Sequence, residues 1–112
     1  MKLISIVFSF KNEEKSLREL VNRTVKIFTE TNNYNYELIF VNDNSADNSE
    51  KILISLQENY PITIINMSRT FGGAPCFMAG FKQAKGDAIV YMDSDLQDPP
   101  EAIPELYNKA LE

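Results

Sequence analysis

The chain contains no histidine, which removes imidazole acid–base chemistry and His-ligated zinc from consideration. A single cysteine, Cys76, excludes an internal disulfide and a cysteine-cluster metal site. Any metal must therefore be held mainly by oxygen, which favours Mg2+, Mn2+ or Ca2+. Basic residues are the minority: 11 Lys plus Arg stand against 16 Asp plus Glu, a net charge of −5. No nucleic-acid partner is expected of such a chain, because phosphate contacts need a basic surface. Long apolar runs are also missing. The stretch from Leu3 to Phe10 is broken by Ser5 and Ser9 and runs into Lys11, Asn12, Glu13 and Glu14. It is too short for a membrane span and has no small-residue cleavage site, so a cytoplasmic location is the default expectation. The lone Cys76 agrees with that compartment. Neither G-x-G-x-x-G nor G-x-x-x-x-G-K-[ST] occurs, which leaves out the dinucleotide fingerprint and the Walker loop.

What is present reads as one small domain over residues 1–112, with 44% hydrophobic and 24% charged residues. Short β-rich runs alternate with longer helical ones. KLISIVFSF (Lys2 to Phe10) predicts a strand. Leu17, Leu20, Val21, Thr24, Val25 and Phe28 then recur at helical spacing, with Asn12 or Ser16 as the expected cap and Asn32, Asn33 and Asn35 as breakers. ELIFVN (Glu37 to Asn42) is a second strand. DNSADNS after it is turn chemistry ending in a cap from Asp47 or Asn48. A helix through Ile52, Leu53 and Leu56 stops before Pro61, and Ile62 to Asn66 is a third strand. Ala74 to Ala84 predicts a helix whose Cys76, Phe77, Met78 and Phe81 are expected in the core. AIVYM (Ala88 to Met92) is a fourth strand, and Pro100 or Glu101 opens a last helix.

The order β-α-β-α-β-α-β-α, with near-continuous apolar strands, predicts an α/β fold. Its expected form is an open doubly wound parallel sheet with strand order 3-2-1-4. Every strand-to-helix loop then emerges on the carboxyl edge, and ligands bind at the switch point between strands 1 and 4. Polar and acidic residues crowd these loops. Asp93-Ser94-Asp95 could present two carboxylates to a divalent cation that in turn bridges diphosphate oxygens, although D-x-D alone is also an ordinary solvated turn. Asp43 could accept hydrogen bonds from a base or ribose. Glu14 reads better as a first-turn acid favoured by the helix dipole. Arg69, before Thr70-Phe71-Gly72-Gly73, suits a phosphate or a base face, or simply a surface ion pair. Cys76 reads as packing rather than as a nucleophile, having no histidine to activate it.

Three segments together resemble the nucleotide-binding half of family 2 (GT-A fold) inverting glycosyltransferases. They are Asn12-Glu13-Glu14, VNDNSAD (Val41 to Asp47), and the run from Ser68 to Glu101 that ends in DSDLQDPPE. The last is similar to the polyprenyl-phosphate sugar synthases of the dolichol-phosphate mannose synthase and bactoprenol glucosyltransferase types. The resemblance implies nucleotide-sugar contacts from Phe10, Glu13, Asp43, Arg69, Asp93, Ser94 and Gln97. It implies a Mg2+ or Mn2+ ion on Asp93 and Asp95, with Asp43 facing the base and Asp95 the more direct ligand. The implied donor is a UDP- or GDP-linked sugar. Three departures accompany it: Ser9 stands where the family usually has Pro, Lys11 where it has an aromatic, and Gly73 where a Lys commonly follows the FG pair.

The resemblance further implies a donor-binding part of a longer enzyme, membrane-associated in full, with its catalytic base beyond Glu112. The 112 residues alone are expected to be inactive and to self-associate, by edge pairing of an uncovered strand 4 or by exchange of the C-terminal helix. Two other readings of the residues stand beside it. One is a non-catalytic nucleotide-binding or scaffold domain. The other is a Mg2+-dependent phosphotransfer domain, against which the strand-1 end Ser9-Phe10-Lys11 speaks, since it offers no acidic nucleophile.

Overall fold

A computed structural model describes all of residues 1–112. Its elements are β1 (Leu3–Phe10), α1 (Leu17–Thr31), β2 (Asn35–Asn42), α2 (Ser49–Gln57) and β3 (Ile62–Asn66), then α3 (Gly73–Gln83), β4 (Ala88–Asp93), a 3-10 turn at Pro100–Ala102 and α4 (Ile103–Leu111). The four strands form one parallel sheet in the expected order β3-β2-β1-β4.

β1 lies at the centre because its residues can tolerate burial on both faces. Ile4, Ile6, Val7 and Phe8 are fully buried, and β2 beside it buries Leu38, Ile39, Phe40 and Val41 as completely. Phe8 and Phe40 are register partners, and their rings stack with centroids 4.9 Å apart. Right-handed crossovers decide where the helices go. The connections from β1 to β2 and from β2 to β3 move one way along the sheet. The connection from β3 to β4 returns across it, so α3 falls on the opposite face. The packing follows this division: Ile4, Ile6, Phe8, Leu38 and Phe40 meet Leu17, Leu20, Val21, Leu53, Ile103 and Tyr107 of α1, α2 and α4. Val7, Ile39 and Val41 meet Cys76 of α3. One face thus has three helices and the other has a single one.

That asymmetry revises the reading of α3. Only Cys76 and Gly80 are buried on it, whereas Met78 and Phe81 are about half exposed (49% and 48%). With no second helix beside it, α3 has nothing to bury that side against.

The helix ends also differ from expectation. Ser16 precedes α1 but makes no side-chain capping bond, and Asn12 serves the loops instead, as described below. α1 stops at Asn32, which takes the left-handed conformation (φ 50°) and returns its N–H to the Phe28 carbonyl; asparagine tolerates this geometry better than most residues. Asn48 likewise makes no side-chain cap on α2; Asp47 accepts the Ser49 N–H and hydroxyl. β2 starts at Asn35, two residues early, because Asn35 and Tyr36 pair with Leu3 and Ile4. β4 extends to Asp93, which pairs with Ser9. The backbone of the first Asp of D-S-D is therefore set by the sheet and not by a loop.

Candidate functional site

The carboxyl edge holds a cleft of about 250 Å³. Ser9, Phe10, Lys11 and Glu13 contribute from the end of β1, Asp43 from β2, and Gly72, Gly73 and Cys76 from the start of α3. Asp93, Ser94 and Asp95 complete it from β4. A second hollow lies by the opposite edge, between Met1, Phe28, Tyr34, Tyr36 and Pro61, and no carboxylate or basic side chain lines it. Acid chemistry is thus confined to the first.

Two loops of the cleft are zipped together by reciprocal bonds. Asn12 adopts φ 56° and its Oδ1 accepts the N–H groups of Ala46 and Asp47, while its own N–H donates to Ser45 Oγ. Glu13 N–H donates to the buried Ser49 hydroxyl at 2.9 Å. Glu14 N–H donates to Asp47, and Glu14 Oε2 accepts the Asn48 N–H in return. Glu14 is therefore more than a dipole-favoured acid, since it closes the joint between the β1 and β2 loops. Asp47 sits below the usual carboxylate range: burial would raise it, but bonds from Ser49 and from Glu14 N–H outweigh that.

Asp43 occupies the floor on the β2 side and is 8% exposed. Its two oxygens accept the amide N–H groups of Phe71 (2.7 Å) and Gly72 (3.0 Å), so one carboxylate fixes the loop that leads into α3. Burial by itself would raise its pKa. The Phe71 and Gly72 amides, the Cys76 thiol and the charge of Lys11 reverse the sign, and Asp43 is held below the ordinary carboxylate value. Burial, and then donation to Asp43, pushes the Cys76 thiol up to about 11. A thiol so high is protonated at neutral pH, which agrees with a packing role.

On the β4 side Asp93 and Asp95 are exposed and Ser94 between them is buried. The single proton of the Ser16 hydroxyl is shared between Glu13 Oε2 at 2.9 Å and the Ser94 carbonyl at 3.2 Å, joining this loop to the start of α1. Asp95 Oδ1 accepts the Gln97 N–H at 3.1 Å across Leu96, whose backbone is left-handed at φ 65°. No group of three or more Asp, Glu, Cys or His side chains could hold a metal by itself. The donor set nonetheless fits Mg2+ or Mn2+: such ions take one or two carboxylates and complete their shell with phosphate oxygens and water. Asp93 and Asp95 are the two exposed carboxylates at this end of the cleft that could supply them.

Of the residues singled out from sequence, the fold brings Phe10, Glu13, Asp43, Asp93, Ser94 and Asp95 to one cleft. Arg69 and Gln97 lie outside its wall. Arg69 is exposed, with its guanidinium 4.8 Å from the Phe71 ring centroid, a cation–π contact. Gln97 is exposed as well. Ser9, Lys11, Gly72, Gly73 and Cys76 line the cleft without having been selected. They lie at the end of β1 and at the start of α3, on the edge that the parallel topology assigns to ligands.

A parallel sheet with order 3-2-1-4 and an acidic cleft at its switch point defines a Rossmann-like α/β domain. The sequence profile of glycosyl transferase family 2 matches residues 5–112, and the chain belongs to that family. It is 44% identical over 112 residues to the undecaprenyl-phosphate 4-deoxy-4-formamido-L-arabinose transferase of Proteus mirabilis (strain HI4320), covering 97% of this chain and 34% of that protein. The chain thus spans about a third of the length of this curated relative. Among solved structures it superposes on S. aureus TarS 1-349 in complex with UDP with a TM-score of 0.73 at 27% identity, over 94% of this chain and 32% of that one. Glucosyl-3-phosphoglycerate synthase from Mycobacterium tuberculosis, in complex with Mn2+, UDP and glucosyl-3-phosphoglycerate, shares the fold (TM-score 0.75, 24% identity, 98% and 40% coverage).

Proposed function

We propose that the cleft binds the nucleoside diphosphate end of a sugar donor, and that the chain supplies the donor-binding part of a transferase that delivers the sugar to a polyprenyl phosphate. The observation that carries this reading is the D-S-D pair: a sheet-anchored Asp93 and a turn-anchored Asp95 open on the switch-point cleft of a family 2 domain. The acceptor class rests on the 44% identity to a transferase named for undecaprenyl phosphate.

Each residue has a definable task. Asp93 and Asp95 would hold a divalent cation, Mg2+ or Mn2+. When bound there, such a cation supplies neutralisation of the charge that develops on the leaving diphosphate. Asp43 holds the Phe71–Gly72 backbone against the donor, and Glu13, bonded to Ser16, lines the nucleoside side. The acceptor attacks C1 of the sugar from the face opposite the diphosphate and inverts it. A phosphate acceptor is already anionic and needs little help from a base. No helix of the chain is long and apolar enough to cross a membrane. The proposed place of action is the cytoplasm, at the membrane face where the lipid phosphate is presented.

Calorimetric titration of UDP, GDP, CDP and ADP in Mn2+ and in EDTA tests the reading. One nucleotide should bind well in Mn2+ and poorly in EDTA. Asp95→Asn should weaken that binding by about 1–3 kcal/mol, the scale of a lost charge-assisted contact. Equal affinity in EDTA would remove the cation from the account.

A further inference from the structure

Lys11 is the one basic side chain that lines the cleft, among four carboxylates, those of Glu13, Asp43, Asp93 and Asp95. Despite that company its ammonium forms no ion pair; the ion pairs of the chain join Arg23 to Glu19 and Glu101, and Lys26 to Glu30. Its side-chain hydrogen bond goes to a neutral partner, Thr70 Oγ1, at 2.8 Å. An ammonium has three N–H donors, so two remain. Asp43, whose oxygens already accept the Phe71 and Gly72 amides, feels the charge of Lys11 but forms no ion pair with it. The first turn of α3, Gly73 to Cys76, brings no cation to the opposite wall. Lys11 also sits one residue beyond the end of β1, next to β4, and Ser9 is the register partner of Asp93. The lysine and the D-S-D pair therefore flank one cleft from adjacent strands.

We propose that Lys11 is a ligand-binding residue whose two free N–H groups are donated to an anionic oxygen on the phosphate chain of the nucleotide. A compact ammonium suits a phosphate oxygen as a point charge. Thr70, beside the cleft, takes one N–H of the ammonium, and the remaining donors meet the ligand. This rests on the donor-binding reading above and adds a second point of attachment, separate from the cation.

The test measures binding of whichever of UDP, GDP, CDP and ADP the wild type prefers, in Mn2+, over a range of NaCl concentrations. Lys11→Gln should weaken binding about tenfold and flatten the salt dependence. Lys11→Arg should recover affinity to within about threefold of wild type. Thr70→Val removes the same hydrogen bond but leaves the charge, and should cost no more than about threefold. Unchanged affinity in Lys11→Gln would overturn the proposal. So would a loss with unaltered salt dependence, which marks a contact to base or ribose, or a Thr70→Val loss as large as that of Lys11→Gln, which marks a loop anchor. A wild type that binds none of the four nucleotides overturns the donor-binding reading itself; wild-type binding with an indifferent Lys11→Gln overturns the lysine alone.

Discussion

Asp43 shows how one carboxylate ties the site to stability. Replacing it with Ala leaves the Phe71 and Gly72 amides without their acceptor, and unfolding in urea should show a loss of about 1–3 kcal/mol. The sign of the pH effect follows from its lowered pKa. The contribution is present in full above the ordinary carboxylate value and is lost as pH falls through the still lower folded value. Wild type should therefore lose stability on acidification faster than Asp43→Ala; parallel curves from neutral pH to about pH 2 would contradict this. The sequence marks Asp43 as too early to cap a helix, and that much is legible from spacing. Its attachment to a loop 28 residues later is not, because the contact exists only once β2 and β3 lie side by side. The same holds for Asn12: its polar character fits a cap, and only the left-handed backbone turns its amide toward Ala46. Arg69 illustrates the converse, since its position after β3 is legible but its turn toward Phe71 and out of the cleft is not.

At the scale of elements, α3 alone covers its face of the sheet and depends on Gly80 to do so. A Cβ there would overlap Val7 Cγ1 and stand 3.2 Å from Val41 Cγ2, both on the central strands. Helix propensity favours Gly80→Ala by about 1 kcal/mol, but overpacking a core contact costs roughly 1–3 kcal/mol. The clash should win, lowering Tm by several degrees in a thermal melt; an unchanged or raised Tm would mean that α3 can shift freely. Strand identity and order were readable because uninterrupted apolar runs in an alternating β-α chain admit few parallel topologies. The burial pattern of α3 was not. Phe77, Met78 and Phe81 look like a core stripe, and only the return crossover to β4 reveals that one helix must cover that face alone.

For the whole molecule, β4 is an edge strand. Its run AIVYM has no charge and no proline, and Asp87 and Asp93 are the flanking acids. Phe77 packs edge-on to Tyr91 beside the exposed Phe81, so apolar surface adjoins the unpaired backbone. Such an edge is a template for another strand, and two copies related by a two-fold axis could pair it antiparallel. The 112-residue chain should therefore self-associate in sedimentation equilibrium as concentration rises. A strictly monomeric species at every concentration would show the edge to be protected. The central claim concerns the other end of the strands, where the cleft is proposed to gather a nucleoside diphosphate and a cation. Paramagnetic broadening of backbone amide signals by Mn2+, added with the preferred nucleotide, tests it most directly. The expected result is selective loss of signals around Asp93 to Gln97, Ser9 to Glu13 and Gly72 to Cys76. Broadening centred on the opposite edge, around Tyr34, Tyr36 and Pro61, or spread evenly over the acidic surface, would contradict it.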